Sequence, residues 1–141
     1  YRAYQKEISL SEGVEEFLDY CKAHNIFIAI LTNGRTKSQY AKVIALDLHR
    51  WFDDDHIFIS GGIGYQKPDP MAFQYIEKMF SLNPEETWYI GVSYEAVVVG
   101  ADGAGWLTVW FIHRNRERLD NCADVTVRSI EELSRFIKER S

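Results

Sequence analysis

The stretch from Trp88 to Trp106, WYIGVSYEAVVVGADGAGW, constrains this chain more than any other. Trp88, Tyr89 and Ile90 are aromatic or β-branched and run into Gly91, which predicts a strand. The chain then turns. From Glu95 onward the small residues Ala96, Gly100, Ala101, Gly103, Ala104 and Gly105 predict a helix lying close against a sheet. A strand, a tight turn and a close-packed helix put that turn at the carboxyl edge of a parallel sheet, where such sheets bind ligands. Taken alone, the same pattern also fits a βα crossover without chemistry.

Two upstream stretches lead to the same edge. Ile26 to Leu31 is an unbroken apolar run, the mark of a strand buried on both faces of a parallel sheet. It ends at Thr32-Asn33-Gly34, a strand-ending turn in which Asn33 or Gly34 takes an unusual backbone angle. A second strand, Ile57 to Ser60, leads into a flexible loop with Gly61, Gly62 and Gly64, whose spacing is not that of a P-loop. Then comes Gln66-Lys-Pro-Asp-Pro70. Asp69 is a natural N-cap with Pro70 at the first helical position, so a helix starts there. Lys67 lies just ahead of it, and an ammonium beside a helix amino terminus makes an anion site.

Periodicity supplies the remaining elements. Ser11 predicts an N-cap, followed by Val14, Phe17, Leu18 and Cys21 on one helical face. Glu12, Glu15 and Glu16 fall in the first turns, where the helix dipole favours them, and His24-Asn25 ends the helix. A helix from Thr36 to Leu46 turns Tyr40, Val43, Ile44 and Leu48 to the sheet, and one from Met71 to Phe80 turns Phe73, Ile76, Met79 and Phe80 inward. Leu107 to Ile112 and Val125 to Val127 are the last strands, and Ser129 with Glu132 forms a capping box for the final helix. The order predicts an α/β fold with a right-handed, doubly wound, Rossmann-like parallel sheet, and residues 1–141 as a single domain. Asp53-Asp54-Asp55 feeds the amino end of the second strand, opposite the ligand edge, and reads as a solvated loop. So do His113 and the cluster Arg114, Arg116 and Arg118.

Sixteen Lys and Arg against twenty-one Asp and Glu give a net charge of −5, and no basic run stands out, which argues against nucleic acid or a membrane surface as partner. Cys21 and Cys122 lie far apart without metal-ligand neighbours, as two reduced cysteines of a cytoplasmic protein would. No apolar run approaches the ~18 residues of a membrane span, and the amino terminus is not signal-like.

The segments Ile28-Ala-Ile-Leu-Thr-Asn-Gly34, Gln66-Lys-Pro-Asp-Pro70 and the stretch around Gly91 resemble, in order and separation, motifs II, III and IV of the haloacid dehalogenase-like (HAD) hydrolase superfamily. They are most similar to its phosphatase-like branch with a helical cap inserted early in the chain, and the resemblance covers nearly all of the sequence. It implies that Thr32 offers a hydroxyl to phosphate and that Asn33 and Gly34 bring backbone amides to the same group. Lys67 would steady the phosphoryl group and the nucleophile. It further implies Mg2+-dependent hydrolysis of a small phosphomonoester, a nucleotide or sugar phosphate, through an aspartyl-phosphate.

The departures are just as specific. The family's motif IV reads Gly-Asp-Ser and, after a short gap, a second Asp; here Val92 and Val97 hold the acidic positions, while Gly91, Ser93, Glu95, Gly100 and Ala101 fit. Motif I, an Asp-x-Asp ending a central strand, has no counterpart in the sequence. The expectation is a HAD core missing its first, central strand. The strands ending at Leu31 and Ile90 would then pair directly, accept a strand from a second chain, or be completed by an amino-terminal segment, because open edges are costly. Glu95 should face away from the strand edge, and Asp69 is occupied as a cap. With no carboxylate pair to hold Mg2+, the chain as written is expected to bind no metal and to be inactive, with a weak hold on phosphate or a small phosphorylated ligand. A non-catalytic binding module using the same pocket or sheet edge is the alternative. A phospho-acceptor receiver domain fits poorly, since no acceptor Asp ends an early strand.

Overall fold

The computed structural model describes residues 13–112 and 122–140. The expectations at Ser11, Glu12, His113, Arg114, Arg116 and Arg118 concern positions outside the described residues. Among the described residues, five short parallel strands form two sheets. In the first, β1 (Ile30–Thr32) pairs with β2 (Ile57–Ile59), Leu31 opposite Phe58. In the second, β3 (Trp88–Gly91) pairs with β4 (Leu107–Phe111), and β4 with β5 (Val125–Val127), so that Val109 lies between Ile90 and Val125.

No ladder joins β1 to β3 among the described residues. Of the three expected ways to complete the sheet, direct pairing is therefore corrected. At the strand ends the Lys67 side chain connects the two instead: its ammonium donates to the Leu31 carbonyl at 3.0 Å and to the Tyr89 hydroxyl at 3.3 Å.

Packing on both faces holds the ladders in one body. On one side lie α1 (Val14–Ala23) and α5 (Ile130–Arg140). Leu18, Trp51 and Phe52 pack there against Ile28, Ile30 and Ile57, and Val109, Val127 and Leu133 against Trp88 and Ile90; Phe17 touches both groups. On the other side, α4 (Pro70–Phe80) sets Ala72, Phe73 and Ile76 with Phe58, Ala101 and Trp106 against Ala29, Leu31 and Tyr89. Neighbouring strand residues thus face opposite layers, the alternation of a strand; the α/β fold with parallel strands covered on both faces is as expected, but among the described residues the strands form two small sheets instead of one. Phe73 is fully buried, and burying a side chain of that size contributes about 2–3 kcal/mol.

The local signals for helix ends hold. Asp69 Oδ1 accepts from the Met71 amide at 2.9 Å with Pro70 in the first turn, and Ser129 Oγ accepts from the Glu132 amide at 3.1 Å. Helix α1 ends at His24 as expected, with Asn25 at φ 55°, but its start is a correction: the N-cap is Gly13, at φ 90° and with no side-chain cap bond, and not Ser11.

Other readings need correction. The apolar run Ile26 to Leu31 yields a ladder only from Ile30, and its residues are half-buried or, at Phe27, exposed. A strand is covered along both edges only when both edges have neighbours, and among the described residues β1 pairs with β2 alone. The small-residue stretch becomes a π-helical turn, Ala96–Ala101, and a 3-10 turn, Asp102–Ala104, instead of an α-helix. It lies so close to α4 that a Cβ on Gly100 would sit 2.5 Å from Phe73 Cε2 and 3.1 Å from the Pro68 carbonyl oxygen. Ile44 (60% exposed) and Met79 (54%) face solvent. Ile44 is about 100° round helix α2 (Thr36–Ala45) from buried Val43, and Met79 sits at the margin of the stripe centred on Phe73 and Ile76. The glycine loop after β2 is one helical turn, α3 (Ser60–Ile63), closed by Gly64 at φ 87°.

Candidate functional site

Parallel strands deliver their carboxyl ends to one edge, and three connections converge there. The loop after β1 and the turn after β2 are sewn together at Gly34. Its amide donates to Ser60 Oγ at 2.8 Å, and its carbonyl accepts from the Gly61 amide at 2.9 Å and from Ser60 Oγ at 3.3 Å. A Cβ on Gly61 would stand 2.8 Å from that carbonyl oxygen, so only glycine permits the approach. Gly34 itself has φ 142°, the unusual backbone angle expected at this turn. Thr32 Oγ1 donates to Gln39 Oε1 of α2 at 2.9 Å.

The segment before α4 is sewn to the same loop through Asn33. Its Nδ2 donates to the Lys67 carbonyl oxygen at 3.0 Å, and its Oδ1 accepts from the Lys67 amide at 2.9 Å. The Lys67 side chain runs inward to Leu31 and Tyr89, with its ammonium 5.8 Å from the centre of the Tyr89 ring. Burial pulls the pKa of this ammonium down from the ordinary lysine value and pushes the Tyr89 hydroxyl up to about 12. The edge therefore presents a half-buried cation, with one of its three N–H donors beyond the two in use.

Of the sequence-predicted residues, the structure brings Thr32, Asn33, Gly34 and Lys67 to one place. The Asn33 carboxamide and the Gly34 amide are, however, taken up in binding the loops to each other. Val92 and Val97 part company. Val92 follows β3, is 62% exposed, and its carbonyl accepts from Trp110 Nε1 at 3.0 Å. Val97 is fully buried with Trp110, Ile112, Tyr89 and Tyr94. Hydrocarbon at both positions gives Mg2+ none of the hard oxygen ligands it needs. Glu95 is exposed and Asp69 caps α4. Among the described residues, the donor set on this edge does not fit the metal.

Among the described residues, one group of three potential metal ligands comes together: Asp53, Asp55 and His56. It precedes β2, at the opposite edge, as the solvated-loop reading places it. Asp54 beside it accepts from Tyr40 Oη at 2.9 Å and pairs with His49 Nε2 at 2.6 Å, which holds its carboxyl below the usual range.

Sequence reasoning missed Gln39, Ser60 and Tyr89. Only Tyr89 carried a usable signal: in a strand whose Trp88 and Ile90 face one layer, the residue between them faces the other. No helix among the described residues is long and apolar enough to cross a membrane.

The chain is 28% identical over 133 residues to glyceraldehyde 3-phosphate phosphatase of Pyrococcus furiosus, covering 92% of this chain and 55% of that protein. It is 34% identical over 106 residues to phosphoserine phosphatase of Thermus thermophilus, covering 75% of this chain and 42% of the relative. The chain thus spans about half the length of the curated relatives it matches. A crystal structure of a HAD phosphatase from Thermococcus onnurineus superposes with a TM-score of 0.83 at 24% identity, over 96% of this chain and 61% of that one, a likeness of fold. The family model of the haloacid dehalogenase-like hydrolases matches residues 1–97, through both loops, the lysine and the strand ending at Gly91. The chain belongs to the haloacid dehalogenase-like hydrolases.

Proposed function

We propose that this chain is the core of a HAD-type phosphatase whose parent activity is Mg2+-dependent hydrolysis of a small phosphomonoester, and that, as written, it holds phosphate weakly without turning it over. One observation carries the reading: the half-buried Lys67 ammonium, fixed at the strand ends beside Thr32. Its remaining N–H and the Thr32 hydroxyl, turned away from Gln39, are the groups that would hold phosphate oxygens. Two of the relatives carry names with a small phosphate monoester as substrate, which supports the same class for the parent.

The valines support the second half of the proposal. With Val92 in solvent and Val97 sealed among aromatic and aliphatic side chains, neither position offers a carboxylate to hold a metal ion that would neutralise charge at a phosphoryl group. Among the described residues the facing edges of β1 and β3 have no ladder partner, which favours completion by an extended strand, from an amino-terminal segment or from a second chain. A non-catalytic module that binds through this edge is the second reading, and the buried Val97 favours it over a working enzyme.

The test is an Mg2+ titration with a parallel assay of phosphomonoester hydrolysis. The chain as written is expected to show neither saturable Mg2+ binding at this edge nor metal-dependent release of phosphate. Turnover that depends on Mg2+ and disappears in Lys67→Ala would overturn the proposed inactivity.

A further inference from the structure

We infer that Asn33 is a positioning residue: its carboxamide grips the Lys67 main chain and so sets where the Lys67 ammonium sits. The inference deepens the reading of Lys67 as the anion-holding group and rests on it for its functional meaning. Both halves of the carboxamide are used, Nδ2 on the Lys67 carbonyl at 3.0 Å and Oδ1 on the Lys67 amide at 2.9 Å. The ammonium of the same residue returns to the Leu31 carbonyl at 3.0 Å. Lys67 is therefore fastened at its backbone and at its tip to one short stretch, Leu31 to Asn33, that lies more than thirty positions away in the chain.

The physical need is clear. A lysine side chain loses up to about 2 kcal/mol of rotamer freedom when fixed, and burial disfavours its charge. Residues 65, 66, 68 and 69 around it are exposed; the Asp69 amide closes a local turn on the Gln66 carbonyl at 2.9 Å, and the Asn33 carboxamide ties that turn to the loop after β1. Asparagine suits the role because its short side chain offers a donor and an acceptor together. Aspartate would accept from the amide but leave the carbonyl without its donor, and alanine would offer nothing. Because both groups face the Lys67 main chain, Asn33 acts on a bound anion through Lys67.

The experiment compares the full chain with Asn33→Ala and Lys67→Ala, by NMR titration of the lysine ε-ammonium groups and by calorimetric titration with inorganic phosphate. Lys67→Ala identifies the Lys67 resonance by its loss. Asn33→Ala is expected to move the Lys67 titration upward, toward ordinary lysine, and to weaken phosphate by about tenfold, the scale of a lost charge-assisted hydrogen bond. Weakened phosphate binding with an unmoved Lys67 titration would overturn the inference, since Asn33 would then touch phosphate directly. An unchanged titration with unchanged affinity would overturn it too. If the unaltered chain binds no phosphate, the reading of the anion site fails, while a shifted Lys67 titration in Asn33→Ala still supports the positioning role. Should Asn33→Ala fail to fold, Asn33→Gln, with its carboxamide one methylene out of register, is expected to move the titration in the same direction, and no movement would overturn the inference.

Discussion

The Tyr89 hydroxyl accepts a hydrogen bond from the Lys67 ammonium at 3.3 Å, tying the segment ahead of α4 to β3 where, among the described residues, no backbone ladder joins β1 and β3. Burial raises the Tyr89 pKa from 10.0 to about 12. A pKa raised in the folded state means that the unfolded chain loses this proton first. The stability contribution is therefore complete below pH 10 and is lost as pH rises toward 12. Wild-type stability is expected to fall over that window by roughly 1–2 kcal/mol more than that of Tyr89→Phe, after discounting for partial exposure. Urea denaturation at stepped pH measures the difference, and parallel curves for the two chains would contradict it.

Lys67 runs the other way. Its pKa is lowered in the folded chain, so a protonated Lys67 costs stability at neutral pH, and that cost is relieved as pH rises toward the unfolded lysine value. Lys67→Met, which keeps the stem and removes the charge, is expected to leave neutral-pH stability equal or higher while abolishing phosphate binding. A large loss of stability would show that the ammonium, with its bonds to Leu31 and Tyr89, is a net structural tie.

The two valines are expected to answer differently to a carboxylate. Val92→Asp, on an exposed side chain, should change stability by no more than about 0.5 kcal/mol. Val97→Asp buries a carboxyl among Trp110, Ile112 and Tyr94 and should cost roughly 3 kcal/mol or more, with the new carboxyl pushed up in pKa. Thermal and urea unfolding of the two variants check the contrast, and equal, small effects would show that the buried side of the π-helical turn opens readily to water.

Gly100 and Phe73 should behave as a coupled pair. A methyl at Gly100 overlaps the Phe73 ring edge, so Gly100→Ala is expected to cost roughly 1–3 kcal/mol. In a Phe73→Leu background the same change should cost clearly less. Additive costs in the double-mutant cycle would place the strain on the Pro68 carbonyl instead.

Thr108 is fully buried in β4, and Asp124 satisfies it: Asp124 Oδ2 accepts from the Thr108 amide at 2.8 Å and its hydroxyl at 3.0 Å. The Asp124 amide returns a bond to the Thr108 hydroxyl at 2.9 Å. Asp124→Ala should cost roughly 2–3 kcal/mol by leaving a buried amide and hydroxyl unpaired, and Asp124→Asn less. A cost below that of an ordinary surface substitution would mean that water replaces the carboxylate.

What could be read from the sequence was local. Asp69-Pro70 announces the start of α4 because a cap and a fixed φ act within one turn, and the apolar strand centres announce a parallel sheet. The partition of Asn33 could not be read. Its role depends on the main chain of Lys67, far away in sequence, and Thr-Asn-Gly alone does not tell a carboxamide that grips a backbone from one that faces a ligand. The short β1 was hidden for a similar reason, since Ile26 to Leu31 has the composition of a central strand whether or not a neighbour covers its second edge. Ile44 and Met79 were misplaced because apolar periodicity tolerates a residue at the margin of the stripe, and the neighbouring layer decides which side of the margin it falls on.

We propose that Lys67 keeps the phosphate-holding role of a HAD lysine here without the metal carboxylates. Calorimetric titration with inorganic phosphate, with and without Mg2+, in the unaltered chain and in Lys67→Ala, tests it most directly. The unaltered chain is expected to bind weakly, on the order of millimolar, about −4 kcal/mol, with binding indifferent to Mg2+ and lost in Lys67→Ala. Binding that needs Mg2+, or that survives the loss of Lys67, would contradict it.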